Sequence, residues 1–500
     1  MSRWKAFALL GPLLLAASPA AAYGHGFGER YDLPVPLTLY VIGAGSAVAL
    51  SFVVIALFGH GAPGDGYPAT DLLRLRAGRA LADRRLLLLL KLASVAVFVA
   101  YLVAGFAGSP EPNSNLAPTL TWIVFWVGLA YVSGLAGNLW ALLNPWKVLY
   151  GWAESAWRRA TGRPLGLGAY YPEELGAWPA VALFAVFAWA EIAWPDAAIP
   201  SSIAMLALAY TGLTFAGMFV YGRDTWLKRG EALSIAMAFF ARFAPTEVRA
   251  PALDGGGRTV DDYEAFAAAA PHEREWRLRP WGAGLLAGGP LSLSESAFLV
   301  LMLSTVTFDG FVETPPWAVF LADSYTAFSW LGAHAFTGVK TFGLLVTPLL
   351  LFSAFALAAL LTRNLGRSAE PASHIIGRFA VSLAPIALAY HVAHFLSFLL
   401  IQGQRIIPLA SDPLGHGWDL FGTAGYEIDI SVVNARFAWL IGVGAIVVGH
   451  VAAVYAAHAI ARRTFATRAL ALRSQLPMTA LMTGYTMLSL WIVAQPITTH

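Results

Sequence analysis

The chain is predicted to be an all-α, polytopic transmembrane helix bundle, and three observations carry that prediction. Of its 500 residues 58% are hydrophobic and 12% charged, where a soluble domain carries about 25% charged residues. About ten windows are apolar over about 20 residues, the length that crosses a bilayer as a helix. Lysine and arginine also concentrate in alternate loops, as they do when those loops face the cytoplasm.

The N-terminus reads as a cleaved signal peptide over 1–22. Arg3 and Lys5 precede an apolar core at 7–17, and Ser18-Pro19-Ala20-Ala21-Ala22 supplies small residues for cleavage. Cleavage after Gly24 instead would make His25 the first residue, and an uncleaved first span is the other reading. The apolar windows then fall near 36–59, 86–107, 118–142, 177–195, 199–221, 292–310, 338–362, 376–402, 436–460 and 476–496. Basic residues fill the loops at 60–91, 143–176 and 222–291, the turn holding Arg363, Arg367 and Arg378, and the turn from Arg462 to Arg473. Ten spans with both ends extracytoplasmic satisfy this pattern. The remaining loops are acidic, and two are long, at 311–337 and 403–435.

The chain therefore divides into an N-terminal five-span bundle (23–221), a cytoplasmic loop (222–291) and a C-terminal five-span bundle (292–500). Within the loop, 230–242 suits an interfacial or re-entrant helix. Residues 251–272, with three consecutive glycines at Gly255, Gly256 and Gly257, have the composition of a flexible linker. With no cysteine, disulfides, thiolate metal ligands and a cysteine nucleophile are excluded. The net charge of +3 identifies no partner by itself; the apolar spans make the lipid bilayer the expected partner, with no nucleic acid.

The candidate chemistry lies in the eighth span. His391 and His394 interrupt an apolar run, and ionisable side chains at that depth mark functional positions. Their i, i+3 spacing places both on one helical face. Asp309 at the outer end of the sixth span, His334 before the seventh and Lys340 at its entrance are the expected neighbours. Imidazoles with a carboxylate suit a divalent metal such as zinc or copper, whose bound water would serve as hydroxide. The competing reading is that the two histidines only hydrogen-bond between helices. His25 at a mature N-terminus is a second candidate metal ligand, for copper.

Several phrases together resemble one family: Gly26-FGERYDLPVPL, Gly137-NLWALLNPW, Tyr171-PEELGAWPA, Thr307-FDGF, Gly449-HVAAVYAAH and Arg473-SQLPMTALMTGYT. They are similar to bacterial polytopic membrane proteins known as fenitrothion hydrolases, over nearly the whole chain. The resemblance implies cleavage of an aryl phosphorothioate triester to a nitrophenol and a dialkyl phosphorothioate, and a second membrane subunit as partner. With the residues it gives the leading expectation, a metal-dependent organophosphorus hydrolase of the bacterial inner membrane with an extracytoplasmic active face. His391, His394, Asp309 and Lys340 would be its catalytic groups, and His391, His394, His334, Asp309 and His25 its metal ligands. The alternatives are a copper-handling or transport protein without hydrolytic activity, and a structural subunit whose polar groups only pack.

Overall fold

A computed structural model describes residues 31–58, 67–253 and 256–497. The expected signal peptide and His25 lie outside the described residues. Ten helical segments among the described residues are long and apolar enough to cross a membrane: Leu37–Phe58, Arg84–Ala107, Leu116–Leu135, Glu173–Ile192, Pro200–Tyr221, Leu293–Phe311, Pro315–Leu365, Ala372–Ser411, Ala435–Thr464 and Arg468–Ile497. They are called spans one to ten. The Tyr31 amide donates to the Ile497 carbonyl (2.9 Å), and Arg468 Nη2 donates to the Ala56 carbonyl (3.0 Å). Spans one and ten therefore run antiparallel, and both ends of the described chain meet at one end of the bundle.

Local chemistry sets several helix ends. Asp83 accepts from the Arg85 amide (2.9 Å) where span two begins. Ser292 and Glu295 form a reciprocal capping box at the start of span six, which satisfies two amides that a helix N-terminus otherwise leaves bare. Asn144 caps the helix Pro145–Thr161, with Pro145 in the first turn, where its missing N–H costs nothing. Span three departs from α geometry. It is π-helical over Thr119–Leu129 and breaks at residues 136–139, earlier than its apolar run suggests.

The two halves share one apolar core rather than forming separate bundles. Spans three and four pack against spans eight and six, and residues from Ala44 to Ile497 join a single cluster. Spans eight and nine approach most intimately. A Cβ on Gly449 would lie 2.3 Å from Ala389 Cβ and 2.8 Å from the Pro385 carbonyl oxygen, so only glycine allows this crossing. The helix Ala232–Ala241 is almost wholly buried against spans three, four and eight. The 230–242 segment is thus enclosed by protein. Its N-terminus is capped by the buried Glu231, which accepts from the amides of Leu233 (2.9 Å) and Ser234 (2.7 Å).

The described residues of the linker expected at 251–272 (251–253 and 256–272) are instead folded, and the molecule is not purely helical. Four strands form an antiparallel sheet in the order β1-β4-β2-β3: β1 (Thr70–Asp71), β2 (Thr246–Pro251), β3 (Arg258–Val260) and β4 (Glu275–Leu278). Glu247 of β2 is the reason the unit holds. It is 2% exposed and ion-pairs with Arg279, with Arg249 (2.7 Å) and with Arg277 (3.7 Å). The Tyr67 hydroxyl also donates to it (2.9 Å). A buried carboxylate is tolerable only when so compensated. The long 311–337 loop is likewise ordered, as the helix Pro315–Phe328 and a 3-10 turn, Ser329–His334, kinked at Gly332.

Candidate functional site

The site forms where spans four, six, seven and eight converge, at the end of the bundle opposite the sheet. Span six contributes Asp309 near its C-terminus, and span eight contributes His394 from its middle. His394 Nε2 and Asp309 Oδ2 are 2.8 Å apart. The His394 side chain is 4% exposed and that of Asp309 23%, so the imidazole is enclosed while the carboxylate reaches the edge. Gly310 leaves room beside the dyad for span ten and Tyr390: a Cβ there would stand 2.8 Å from Ile492 Cγ2 and 3.1 Å from the Tyr390 hydroxyl.

Three further ionisable groups surround the dyad. Lys340 Nζ donates to the Ile192 carbonyl at the end of span four (3.3 Å) and lies within electrostatic reach of Asp309 and Glu313. Glu191 of span four approaches both Asp309 and the Trp126 side chain. Glu313 stands on an exposed turn just past span six, yet the protein on its inward side pushes its carboxyl up to about 7. Loss of water raises it most, His394 pulls it down, Asp309 raises it and Lys340 lowers it.

His391 does not join His394 on a common ligand. It is fully buried and faces an aromatic wall of Trp126 (5.1 Å between centroids), Tyr131 (5.8 Å), Phe240 (5.8 Å) and Phe395 (4.7 Å). Neither of its ring nitrogens closes a well-formed hydrogen bond, although the Trp126 carbonyl lies nearby. Span eight is wedged between two sets of helices, so about 60° of rotation between positions i and i+3 suffices to aim the imidazoles at different neighbours.

The structure thus brings together Asp309, His394 and Lys340 from the expected set, and adds Glu191, Glu313 and Tyr390. His334 is exposed on the 3-10 turn Ser329–His334 inside span seven, before its long helix Ala335–Leu365. Among the described residues no group of three or more His, Cys, Asp or Glu side chains is assembled to hold a metal ion. His394 Nε2 is engaged by Asp309, and His391 is walled by aromatic rings. The donors present do not fit a zinc or copper centre. The signals for the added acids were nonetheless in the chain: Glu191 is an acid inside an apolar span, and Glu313 follows Asp309 by four residues, just past the end of span six.

What the arrangement offers is acid-base chemistry. A carboxylate that accepts from one imidazole nitrogen fixes the tautomer and leaves the basic lone pair on the other. A lysine beside it supplies positive charge for a developing anion. Compared with protein-family models, with curated proteins and with solved structures, the chain matches none.

Proposed function

We propose that this chain is a multi-pass protein of a bacterial inner membrane, with signal peptide 1–22 removed and both ends extracytoplasmic, and that it hydrolyses lipophilic phosphorothioate triesters. The single observation that carries the reading is the hydrogen bond between Asp309 and His394 (2.8 Å) in a site that otherwise belongs to lipid-spanning helices. An uncharged triester partitions into lipid and can reach such a site from the bilayer.

In this reading Asp309 orients His394, and His394 Nδ1 takes a proton from water as the water oxygen attacks phosphorus. The bond between phosphorus and the aryl oxygen breaks, and a nitrophenolate leaves. The Lys340 ammonium offsets negative charge on that departing oxygen, and the proton on His394 returns to solvent. General-base assistance of this kind contributes about 10²–10⁴-fold, and no step requires a metal.

The test is release of nitrophenolate from fenitrothion by the purified protein in lipid nanodiscs, compared with Asp309→Asn and His394→Gln. Turnover that falls by about 10²-fold or more in both variants, and survives metal chelation, supports the proposal. Turnover unchanged in both sinks it. Absent turnover together with copper retained through purification would favour the metal-handling alternative.

A further inference from the structure

A second polar region lies at the opposite end of the molecule, between the sheet and the bundle. A cavity of about 410 Å3 opens there, lined by the bundle-side residues Asn144, Lys147 and Arg242, by Lys228 after span five, and by the β3 segment. Its size is within the range of small-molecule sites, about 300–1,000 Å3. Acidic and basic side chains are equally numerous around it, but they are not equally occupied.

Each acid already has a structural task. Asp262 accepts from the Glu264 amide (3.0 Å) and pairs with Lys147 (4.0 Å). Asp224 pairs with Arg223 (3.3 Å), and Glu295 accepts from the Ser292 amide (2.7 Å). Asp261 accepts from the Val248 amide (3.2 Å), and burial pushes its carboxyl up to about 7, so much of its charge is gone at neutral pH.

The cations differ. Arg258 is held by Glu275 (3.2 Å); Arg242 lies within electrostatic reach of Glu295, but among the described residues neither it nor the exposed Lys228 closes an ion pair or side-chain hydrogen bond. The Arg242 guanidinium lies over the Phe239 ring (5.1 Å), which holds the fork in place without satisfying its donors. Trp140, 5% exposed, also lines the cavity, and its indole N–H has no acceptor. Unfilled guanidinium and indole donors beside the Lys228 ammonium, around one cavity, suit a bound anion.

We propose that this cavity binds a phosphate-bearing anion, held by Arg242 and Lys228 and packed against Trp140 and Phe239. A guanidinium fork matches the paired oxygens of a phosphate, and the aromatic wall accommodates an organic portion. The phosphate can come from a soluble metabolite or from an anionic lipid headgroup, because the cavity adjoins spans as well as the sheet. The inference is independent of the Asp309–His394 site.

The full-length protein is titrated calorimetrically with inorganic phosphate in neutral detergent. In parallel, its retention of phosphatidylglycerol is measured by native mass spectrometry after reconstitution in phosphatidylcholine with or without phosphatidylglycerol. Lys228→Gln and Arg242→Gln should each weaken the bound species about 10-fold, the loss of one charge-assisted contact. Arg242→Lys should bind with intermediate strength, and Arg158→Gln, remote from the cavity, should match the parent. Binding of phosphate in detergent identifies a soluble ligand, and retention of phosphatidylglycerol alone identifies a headgroup. If the parent binds neither probe, or if Lys228→Gln, an exposed position that leaves folding intact, binds as tightly as the parent, the proposal is wrong.

Discussion

Spans six and eight have 78% of their most apolar stretch buried within the protein, whereas spans one and two have 17% and 11%. The buried pair is also the less hydropathic of the two. In water the most apolar helix seeks the interior, but lipid is as apolar as leucine and gives no such drive. Small and polar side chains therefore collect where helix meets helix, and the most greasy helices face the bilayer. The dyad occupies the two most enclosed spans because an ionisable side chain there is surrounded by protein dipoles and partners rather than hydrocarbon.

The sharpest way to break this comparison is through the dyad itself. His394→Leu should lower phosphorothioate turnover about 10²–10⁴-fold, whereas Leu89→Ala in span two, 61% exposed, should leave turnover and folding unchanged. Equal effects would show that burial does not locate the function. Next in size is the core. Phe379→Ala in span eight, fully buried, should cost about 3–5 kcal/mol, measured by thermal unfolding in detergent. Leu57→Ala at the end of span one, 65% exposed, should stay within about 0.5 kcal/mol.

A smaller effect is expected at the crossing of spans eight and nine. Gly449→Ala forces a methyl against Ala389 and should destabilise by about 1–3 kcal/mol. Gly43→Ala in span one, where a Cβ meets nothing within 4 Å, should be neutral or slightly stabilising. A pH-dependent effect lies outside the spans. Asp261 has a carboxyl raised from 3.8 to about 7 by burial, so the folded protein keeps a proton that the unfolded chain has lost. Stability then falls as pH rises from about 4 to about 7. Asp261→Asn keeps the acceptor for Val248 and suits the local φ of 55°. It should raise the unfolding temperature at pH 8 and leave it unchanged at pH 4; a shift of equal size at both pH values would refute the assignment.

Much of the bundle was legible because lipid imposes a length and an apolarity that any span must meet. The contact between Asp309 and His394 was legible for the related reason that isolated charges in such spans must find each other. The sheet was not. Its strands are two to six residues long, and β1 pairs with β4 (Thr70 with Leu278) across the four intervening spans, so no local pattern announces the pairing. The divergence of His391 from His394 was hidden as well, since spacing shows that two residues share a face but not how many helices that face touches. Gly134 illustrates the same limit. A Cβ there would meet Leu388 of span eight at 2.6 Å, while Gly43, in a similar small-residue run, touches nothing.

The π-helical stretch of span three has a mechanical consequence. Trp126 sits within it, faces His391 on one flank and approaches Glu191 on the other. Rewinding Thr119–Leu129 to α pitch would change the angular position of every residue along it and swing the indole off both groups at once. The winding of this one helix therefore sets where the indole stands against both groups.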